Sequence, residues 1–326
     1  MTGPANLLSV IIPVYNAGPW LEECLDSILG SVGQAAGQVE LVLVNDGSTD
    51  GSGGICDRYA SRYGCIRVFH KENGGVSTAR NLGLAQAWGT YLAWVDPDDL
   101  VSPAWFEKIR YAISQGEPDV IVMDTVRFGD GPEKPEIYGR APGFVDRDLF
   151  VEDVIRDIRM LSGMPNKVMK ASLFEGVSFD PALPILEDYA AIPAILKNAK
   201  TVYYLADCLY HYRQHPKSLL HTPSTDRAFA SVRIAMEREQ AVEPRFRAAA
   251  VTAVAVQCLY FWRNRYTHPD FRPPKSQLHF CRAYVRKNLR TILTDPGVSR
   301  MWKVKFALLA MGLYGLFVRL REQKVH

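Results

Sequence analysis

Residues 7–18 read Leu7-Leu8-Ser9-Val10-Ile11-Ile12-Pro13-Val14-Tyr15-Asn16-Ala17-Gly18, and their reading decides the fold. Leu7 to Val14 is an apolar, largely β-branched run, too short for most helices and closed by the turn-like Tyr15-Asn16-Ala17-Gly18; this is the pattern of a strand buried on both faces. From Pro19 to Val32 the apolar Trp20, Leu21, Cys24, Leu25, Ile28 and Leu29 recur at helical spacing, with Pro19 suited to a first helical turn. The alternation continues outward, with strands expected at Val39–Val44, Ile66–Phe69 and Thr90–Val95 and helices over Ser52–Tyr63 and Gly75–Ala87. Such βαβαβαβ order predicts an α/β fold with a mostly parallel sheet and helices on both faces, in which ligands sit beyond the carboxyl ends of the strands.

A further strand is expected at Val120–Met123, followed by a Gly/Pro-rich mobile loop or insertion from Gly129 to Gly143. Segment 165–220 alternates short helical and extended pieces, and beyond Arg227 the pattern is mostly helical, including a run from Ala248 to Trp262 wide enough for a buried helix. Two domains are expected, residues 1–222 and a helical region 223–326.

The 326 residues are 48% hydrophobic and 22% charged, which excludes wholesale disorder, a collagen-like chain and a small disulfide-stapled module. The net charge of +3 hides an uneven distribution: Arg227 to His326 carries 19 Lys+Arg against 6 Asp+Glu, leaving 19 against 29 in residues 1–226. An acidic first part suits carboxylates that hold a metal, and a basic tail suits an anionic surface such as phospholipid or nucleic acid. The six cysteines show no CxxC pair, and the N-terminus lacks a basic-then-apolar secretory run, so a reduced, cytoplasmic protein is expected.

The residues that follow the strands carry the chemistry. Asp96 and Asp98 lie two apart after the apolar Tyr91–Val95, so in extended chain both carboxylates point to one side. Hard cations such as Mg²⁺ or Mn²⁺ favour carboxylate oxygens and complete their shell with substrate phosphates. The plain alternative is a turn in which Asp98 or Asp99 caps a helix beginning near Ser102-Pro103. Asp46-Gly47-Ser48-Thr49-Asp50-Gly51-Ser52 could likewise be only a turn and helix cap. Asp46 stands at the strand end itself, however, where it can accept a hydrogen bond from the N–H of a nucleotide base. Arg80 is the only basic residue between Lys71 and Lys108, and a guanidinium on this rim suits a uridine or a diphosphate.

These motifs resemble, in order, those of the inverting glycosyltransferases of family 2, which have the GT-A fold. The series is Val10-Ile11-Ile12-Pro13-Val14-Tyr15-Asn16, Asn45-Asp46-Gly47-Ser48-Thr49-Asp50, Asn73-Gly74-Gly75-Val76-Ser77-Thr78-Ala79-Arg80-Asn81, Asp96-Pro97-Asp98-Asp99 and Glu187-Asp188, within roughly residues 7–220. The resemblance implies uracil packing at Pro13 and Tyr15, base contacts at Asp46, Asn73 and Arg80, ribose contact at Asp96, and ligation of Mn²⁺ or Mg²⁺ by Asp98 with Asp96. Pro97 departs from the family's usual Asp-Ser-Asp or Asp-Ala-Asp without removing either carboxylate. Asp188 is implied as the catalytic base, with Glu187 touching donor or acceptor hydroxyls; without the other motifs the pair would read as an acidic helix start. The stretch from Tyr210 to Ser218 resembles the segment that closes the donor site, with Arg213 and Ser218 near the diphosphate and His211 and His215 as possible metal or phosphate contacts.

The resemblance implies transfer of one sugar from a nucleotide-sugar, a UDP-sugar foremost, to a glycan or lipid-linked glycan in surface polysaccharide synthesis, because the Gln-x-x-Arg-Trp pattern of processive members is absent. A nucleotidyltransferase is the runner-up, though Tyr15-Asn16-Ala17-Gly18 lacks the basic residue of its phosphate loop; a silent nucleotide- or sugar-binding module is the other. Phe306 to Val318, thirteen residues without a charge, lies between Arg300, Lys303 and Lys305 and Arg319, Arg321 and Lys324. It is too short to span a bilayer, so segment 300–326 reads as an interfacial helix making peripheral contact with the inner face of the plasma membrane. A terminal helix packed on the domain or in an oligomer is the alternative, and nucleic-acid binding by the tail is not expected.

Overall fold

The computed structural model describes residues 7–129, 131–158, 162–183, 186–215 and 224–322, and among them it forms ten strands and twelve α-helices. Two compact units result: Met1–Arg147 with Gly163–His215, and Asp148–Ser162 with Pro216–His326.

The first unit opens with β1 (Leu8–Val14), α1 (Gly18–Val32), β2 (Val39–Asp46), α2 (Ser52–Arg62), β3 (Ile66–Lys71), α3 (Val76–Gln86) and β4 (Tyr91–Trp94). It continues through β5 (Leu100–Val101), α4 (Trp105–Ser114), β6 (Val120–Gly129), β7 (Lys134–Glu136) and β8 (Gly143–Val145). After α5 (Arg147–Arg156), which lies almost wholly in the second unit, come β9 (Lys167–Lys170), α6 (Glu187–Lys197) and β10 (Val202–Gln214). The strands form one mixed sheet in the order β3-β2-β1-β4-β9-β6-β10-β5, with β7 on β6 and β8 on β10.

β1 is buried along its whole length because both faces are covered. Leu8, Val10, Ile12 and Val14 join a core with Leu21, Leu25 and Ile28 of α1 and Phe106 and Ile109 of α4, and each such side chain contributes about 1.5–3 kcal/mol on burial. On the other face α3 comes so near that a Cβ at Gly83 would stand 2.4 Å from Ile11 Cγ2. β1 pairs in parallel with β2 through Val14, but with β4 only as far as Ile11 opposite Trp94. Pro13, which has no N–H to donate, therefore sits where the β4 ladder has already ended. The chain reverses its direction of sheet growth between β1 and β4, so the crevice of a doubly wound sheet opens at this gap.

The later strands depart from the sequence reading. β6 runs through Gly129 instead of ending at Met123, because β10 pairs alongside it in parallel, with register shifts around Cys208. The stretch expected as a mobile loop, 129–143, contains β7, which pairs with β6, and ends at the start of β8, which pairs with β10. β9 is antiparallel to both β4 and β6, giving the sheet its mixed character.

The second unit contains α7 (Thr225–Ala241), α8 (Arg247–Thr267), α9 (Lys275–Lys287), α10 (Leu289–Thr294), α11 (Arg300–Met311) and α12 (Tyr314–Glu322). From Ala249 to Leu259 α8 is buried nearly all round, as its broad apolar pattern requires, while Tyr260, Arg263 and Arg265 toward its end are exposed. Arg156 of α5 is held in this unit by both oxygens of the buried Asp295, at 3.0 and 2.9 Å, and Asp295 also accepts from Thr252 at 2.8 Å. The apolar run Phe306–Val318 is not one continuous interfacial helix. Gly312, at φ 84°, ends α11, and Phe306, Leu309, Ala310, Tyr314 and Val318 are buried in the unit. Met301, Val304, Met311, Leu313 and Leu316 remain about half exposed. Among the described residues no helix is long and apolar enough to cross a membrane.

A Cβ at Gly89 would lie 2.4 Å from the backbone nitrogen of Ser9 in β1, a contact that only backbone movement can relieve. Gly89→Ala is expected to lose about 1–3 kcal/mol, read as a lower urea midpoint at unchanged slope.

Candidate active site

Three polar loops meet at the carboxyl ends of β1, β2 and β3. Asn16, at φ 49°, accepts the Thr49 N–H at 2.8 Å through Oδ1, while its own N–H donates to Ser48 Oγ at 3.1 Å. Asp50 and Ser52 accept from the N–H groups of Gly18 and Ala17 at 2.9 and 3.0 Å. Those amides open α1, so the Ser48–Ser52 stretch caps α1 from outside, while the N-cap of its own helix α2, Gly51, has no side-chain hydrogen bond. Asp46 is buried, and its carboxylate accepts from the N–H groups of Gly74 at 2.9 Å and Gly75 at 2.8 Å and from Lys71 Nζ. Gly47, at φ 69°, lies against the Asn73 backbone, 2.8 Å from where its Cβ would be. Pro13 is buried, Tyr15 is 52% exposed, and Asn73 is exposed on the loop that Asp46 fixes.

The second cluster surrounds Arg80, which is 4% exposed on α3. Its guanidinium Nη1 lies 2.9 Å from Glu187 Oε1 and 3.9 Å from Asp188 Oδ2, and Nη2 lies 3.4 Å from Asp96 Oδ1. Trp94 and Phe179 flank it at 5.8 and 5.7 Å. The contact with Glu187 is close but not aligned as a hydrogen bond, so Nη1 and Nε keep unused donors inside the site. Glu187 and Asp188 open α6, and the Asp188 carboxylate takes the Tyr189 N–H at 2.6 Å through Oδ1.

Asp98 and Asp99 do not cap a helix: α4 starts at Trp105 with Ala104 as its N-cap. Asp98 Oδ2 meets His215 Nε2 at 2.9 Å, and the His215 ring stacks on Trp20 at 4.3 Å. Asp99 is buried, accepting the Tyr210 hydroxyl at 2.5 Å and the Arg213 N–H at 2.8 Å. Arg213 Nε donates to the Asp98 carbonyl at 2.7 Å and Nη2 pairs with Glu23 at 2.6 Å. The end of β10 is thus strapped to the Asp96–Asp99 loop and to α1. His211 packs edge-on to Phe128 instead, and burial lowers its pKa. Ser218 lies outside the described residues.

One positive charge among three nearby carboxylates leaves the cluster over-acidic. Burial pushes Asp96 up to about 6; Arg80 opposes this, while Asp98, Asp188 and Glu187 add to it. Glu187 is raised for the same reasons, burial first with Arg80 opposing, and Asp99 is raised well by burial beside Asp96 and Asp98. Burial works against the Arg80 charge, but Glu187, Asp96 and Asp188 outweigh it and hold its pKa above the usual value. Among the described residues no three carboxylate, imidazole or thiolate groups form a ready-made metal cage. The oxygen donors of Asp96 and Asp98, in a pocket of excess negative charge, nevertheless fit a hard divalent cation that takes its remaining ligands from phosphates.

Sequence reasoning names Pro13, Tyr15, Asp46, Asn73, Arg80, Asp96, Asp98, Glu187, Asp188 and Arg213, and in the structure all lie at or near the carboxyl ends of the strands. It misses Trp20, Glu23, Lys71 and the Tyr210–Asp99 bond, whose only signal is placement beside the motifs. Arg80 meets three carboxylates that stand 16 and more than 100 positions away in the chain.

A mixed, mostly parallel sheet with a polar rim at this crevice is a GT-A-like scaffold. The model described as "Glycosyl transferase family 2" matches residues 9–179, and the chain belongs to that family. It is 34% identical over 231 residues to the uncharacterized glycosyltransferase EpsJ of Bacillus subtilis, spanning 67% of this chain and 64% of that protein. Similarity to the minor teichoic acid biosynthesis protein GgaB of the same organism is 33% over 214 residues, 63% of this chain and 23% of that protein. The fold matches S. aureus TarS 1–349 in complex with UDP-GlcNAc at a TM-score of 0.72 and 19% identity, covering 97% of this chain and 92% of that one.

Asp96 supplies a test by stability. Its folded pKa of about 6 lies above that of a free carboxyl, so ionisation costs stability, and the cost grows as pH rises through 6. In EDTA, Asp96→Asn is expected to melt above wild type at pH 8, with the difference vanishing below pH 4.

Proposed function

We propose that this protein is a metal-dependent inverting glycosyltransferase that moves one sugar from a UDP-sugar to a glycan or lipid-linked glycan acceptor. The observation that carries the reading is the convergence of Asp96, Glu187 and Asp188 on the buried Arg80 at the sheet's switch point. The TarS structure with UDP-GlcNAc supports the donor class, and the GgaB likeness supports a surface-polymer acceptor.

In this reading Pro13 and Tyr15 pack the uracil, Asp46 holds the 73–75 loop against the base, and Asp96 meets the ribose. Arg213 and Ser218 serve the diphosphate. Asp98, with Asp96, would hold Mn²⁺ or Mg²⁺, which when bound supplies charge neutralisation for the departing diphosphate. Asp188 takes the proton of the acceptor hydroxyl as its oxygen bonds to the sugar's anomeric carbon and the bond to the diphosphate breaks, with its electron pair leaving on the UDP. With Oδ1 engaged by the Tyr189 N–H, Oδ2 is the proton acceptor. It faces Gly163, where even a Cβ would stand only 3.6 Å away, so the glycine keeps space beside the base. Arg80, with Nη1 2.9 Å from Glu187 and 3.9 Å from Asp188, orients the pair toward the donor.

We also propose that the enzyme works at the cytoplasmic face of the plasma membrane, through a surface of the second unit. Met301, Val304 and Met311 lie on one exposed stripe of α11, at spacings of three and seven, and Leu313 and Leu316 extend it. Arg300 and Lys305 border the stripe, which suits insertion between anionic headgroups.

UDP release from UDP-GlcNAc is expected to require Mn²⁺ or Mg²⁺ and to fall at least about a hundredfold in Asp188→Asn, which still binds UDP, while Asp98→Ala loses the metal response. Turnover by Asp188→Asn at the wild-type rate would remove the base assignment. For the membrane surface, the full chain is expected to sediment with phosphatidylglycerol vesicles and the variant with Met301, Val304, Met311 and Leu316 all replaced by Ser to stay in solution. Equal sedimentation would place the contact elsewhere.

A further inference from the structure

α3 carries a second polar grip one residue beyond Arg80. Asn81 Nδ2 donates to the Phe179 carbonyl at 2.7 Å, and Asn81 Oδ1 accepts the Phe179 N–H at 2.8 Å. A side chain that satisfies both backbone groups of one residue replaces a strand partner for a segment that has none. One helical turn earlier, Ser77 Oγ donates to the Leu183 carbonyl at 3.4 Å. Glu187 and Asp188 follow the gripped residues in the chain.

Phe179 is held at both ends. Its ring is fully buried, edge-on to Trp94 at 5.2 Å and 5.7 Å from the Arg80 guanidinium, while its backbone belongs to Asn81. Just before the acidic pair, Leu186 adopts φ 66° and ψ 22°, a left-handed conformation that a branched residue keeps only when its surroundings impose it. Upstream of it, α3 fixes Phe179 through Asn81 and meets Leu183 through Ser77.

We propose that Asn81 is a positioning residue for the Glu187–Asp188 pair: by clamping Phe179 from the helix that carries Arg80, it sets where the base stands relative to the guanidinium and the Asp96 loop. It has no contact with donor or acceptor in this role. The proposal rests on the assignment of Asp188 made above, and two independent readouts separate its failure from the failure of that assignment.

The first readout needs no nucleotide. In Asn81→Ala, amides of 179–192 are expected to exchange with deuterium about tenfold faster, while those of β1 and β4 exchange as in wild type; unchanged exchange at 179–192 overturns the clamp whatever the substrate proves to be. The second is kinetic. With UDP-GlcNAc and Mn²⁺, Asn81→Ala is expected to lose about tenfold in kcat, since displacement of a reacting group by a fraction of an ångström suffices, with KM and UDP affinity unchanged. A fall in UDP affinity that matches the fall in kcat would make Asn81 a general fold residue and overturn the positioning role. If wild type fails to bind UDP, the donor reading falls and the exchange result still decides the clamp.

Discussion

The geometry of the site depends on a guanidinium with almost no water. An arginine buried to 4% exposure must be surrounded by acceptors, and the chain meets this demand with three carboxylates from two separated segments: Asp96 after β4, and Glu187 and Asp188 at the start of α6. In charge the demand is over-met, although Nε and Nη1 have no aligned hydrogen-bond acceptor. Burial first, and then neighbouring carboxylates, raise Asp96 and Glu187 against the pull of Arg80, so the cluster carries negative charge that it stabilises poorly. A group that binds by neutralising charge finds here an environment prepared for it, at the cost of stability when nothing is bound.

That arrangement requires the sheet to bring distant residues to one rim. β1 and β2 deliver the loops that follow Val14 and Asp46, and α3 hangs Arg80 and Asn81 over the same end. β10 and the residue just after it then contribute Tyr210, Arg213 and His215 from more than a hundred positions away, tied to Asp99, Asp98 and α1. The early end of the β1–β4 ladder at Ile11 and Trp94 keeps the crevice open. A proline that would weaken a central strand is harmless at Pro13, since on that side there is no ladder bond to lose.

The first half of the fold was legible because each strand is a short apolar run and each helix repeats at its own period. The second half was not. β6 and β10 are long because they pair with each other, and residues such as Arg127 and His211 carry no strand signal of their own. β7 and β8 exist because edges were available to receive them. The run Phe306–Val318 shows the converse limit: apolar composition marks burial or exposure equally well, and it is the face of α11 on which each side chain stands that buries Phe306, Leu309 and Ala310 and leaves Met311 outside, before Gly312 at φ 84° turns the chain into α12. For the site, the motifs located every principal carboxylate, but pairwise contacts such as Arg80 with Glu187 depend on tertiary geometry that spacing does not encode.

The motif residues also differ in what they do, and hydrogen bonding separates them. Asn16, Asp50 and Ser52 spend their polar atoms on backbone amides of the loops and of α1, and Asp46 spends most of its acceptor capacity on Gly74, Gly75 and Lys71. A carboxylate has about four lone-pair sites, so Asp46 with three donors keeps little for a ligand and acts chiefly by fixing the loop on which Asn73 is exposed. Asp98 and Asp188 are partly exposed, with one oxygen engaged by His215 and by the Tyr189 N–H respectively, and Tyr15 is 52% exposed. The motif residues at this rim therefore fall into two populations, those whose side chains are taken up by backbone amides and so shape the loops, and those that keep a carboxylate or hydroxyl oxygen apart from the loop backbone.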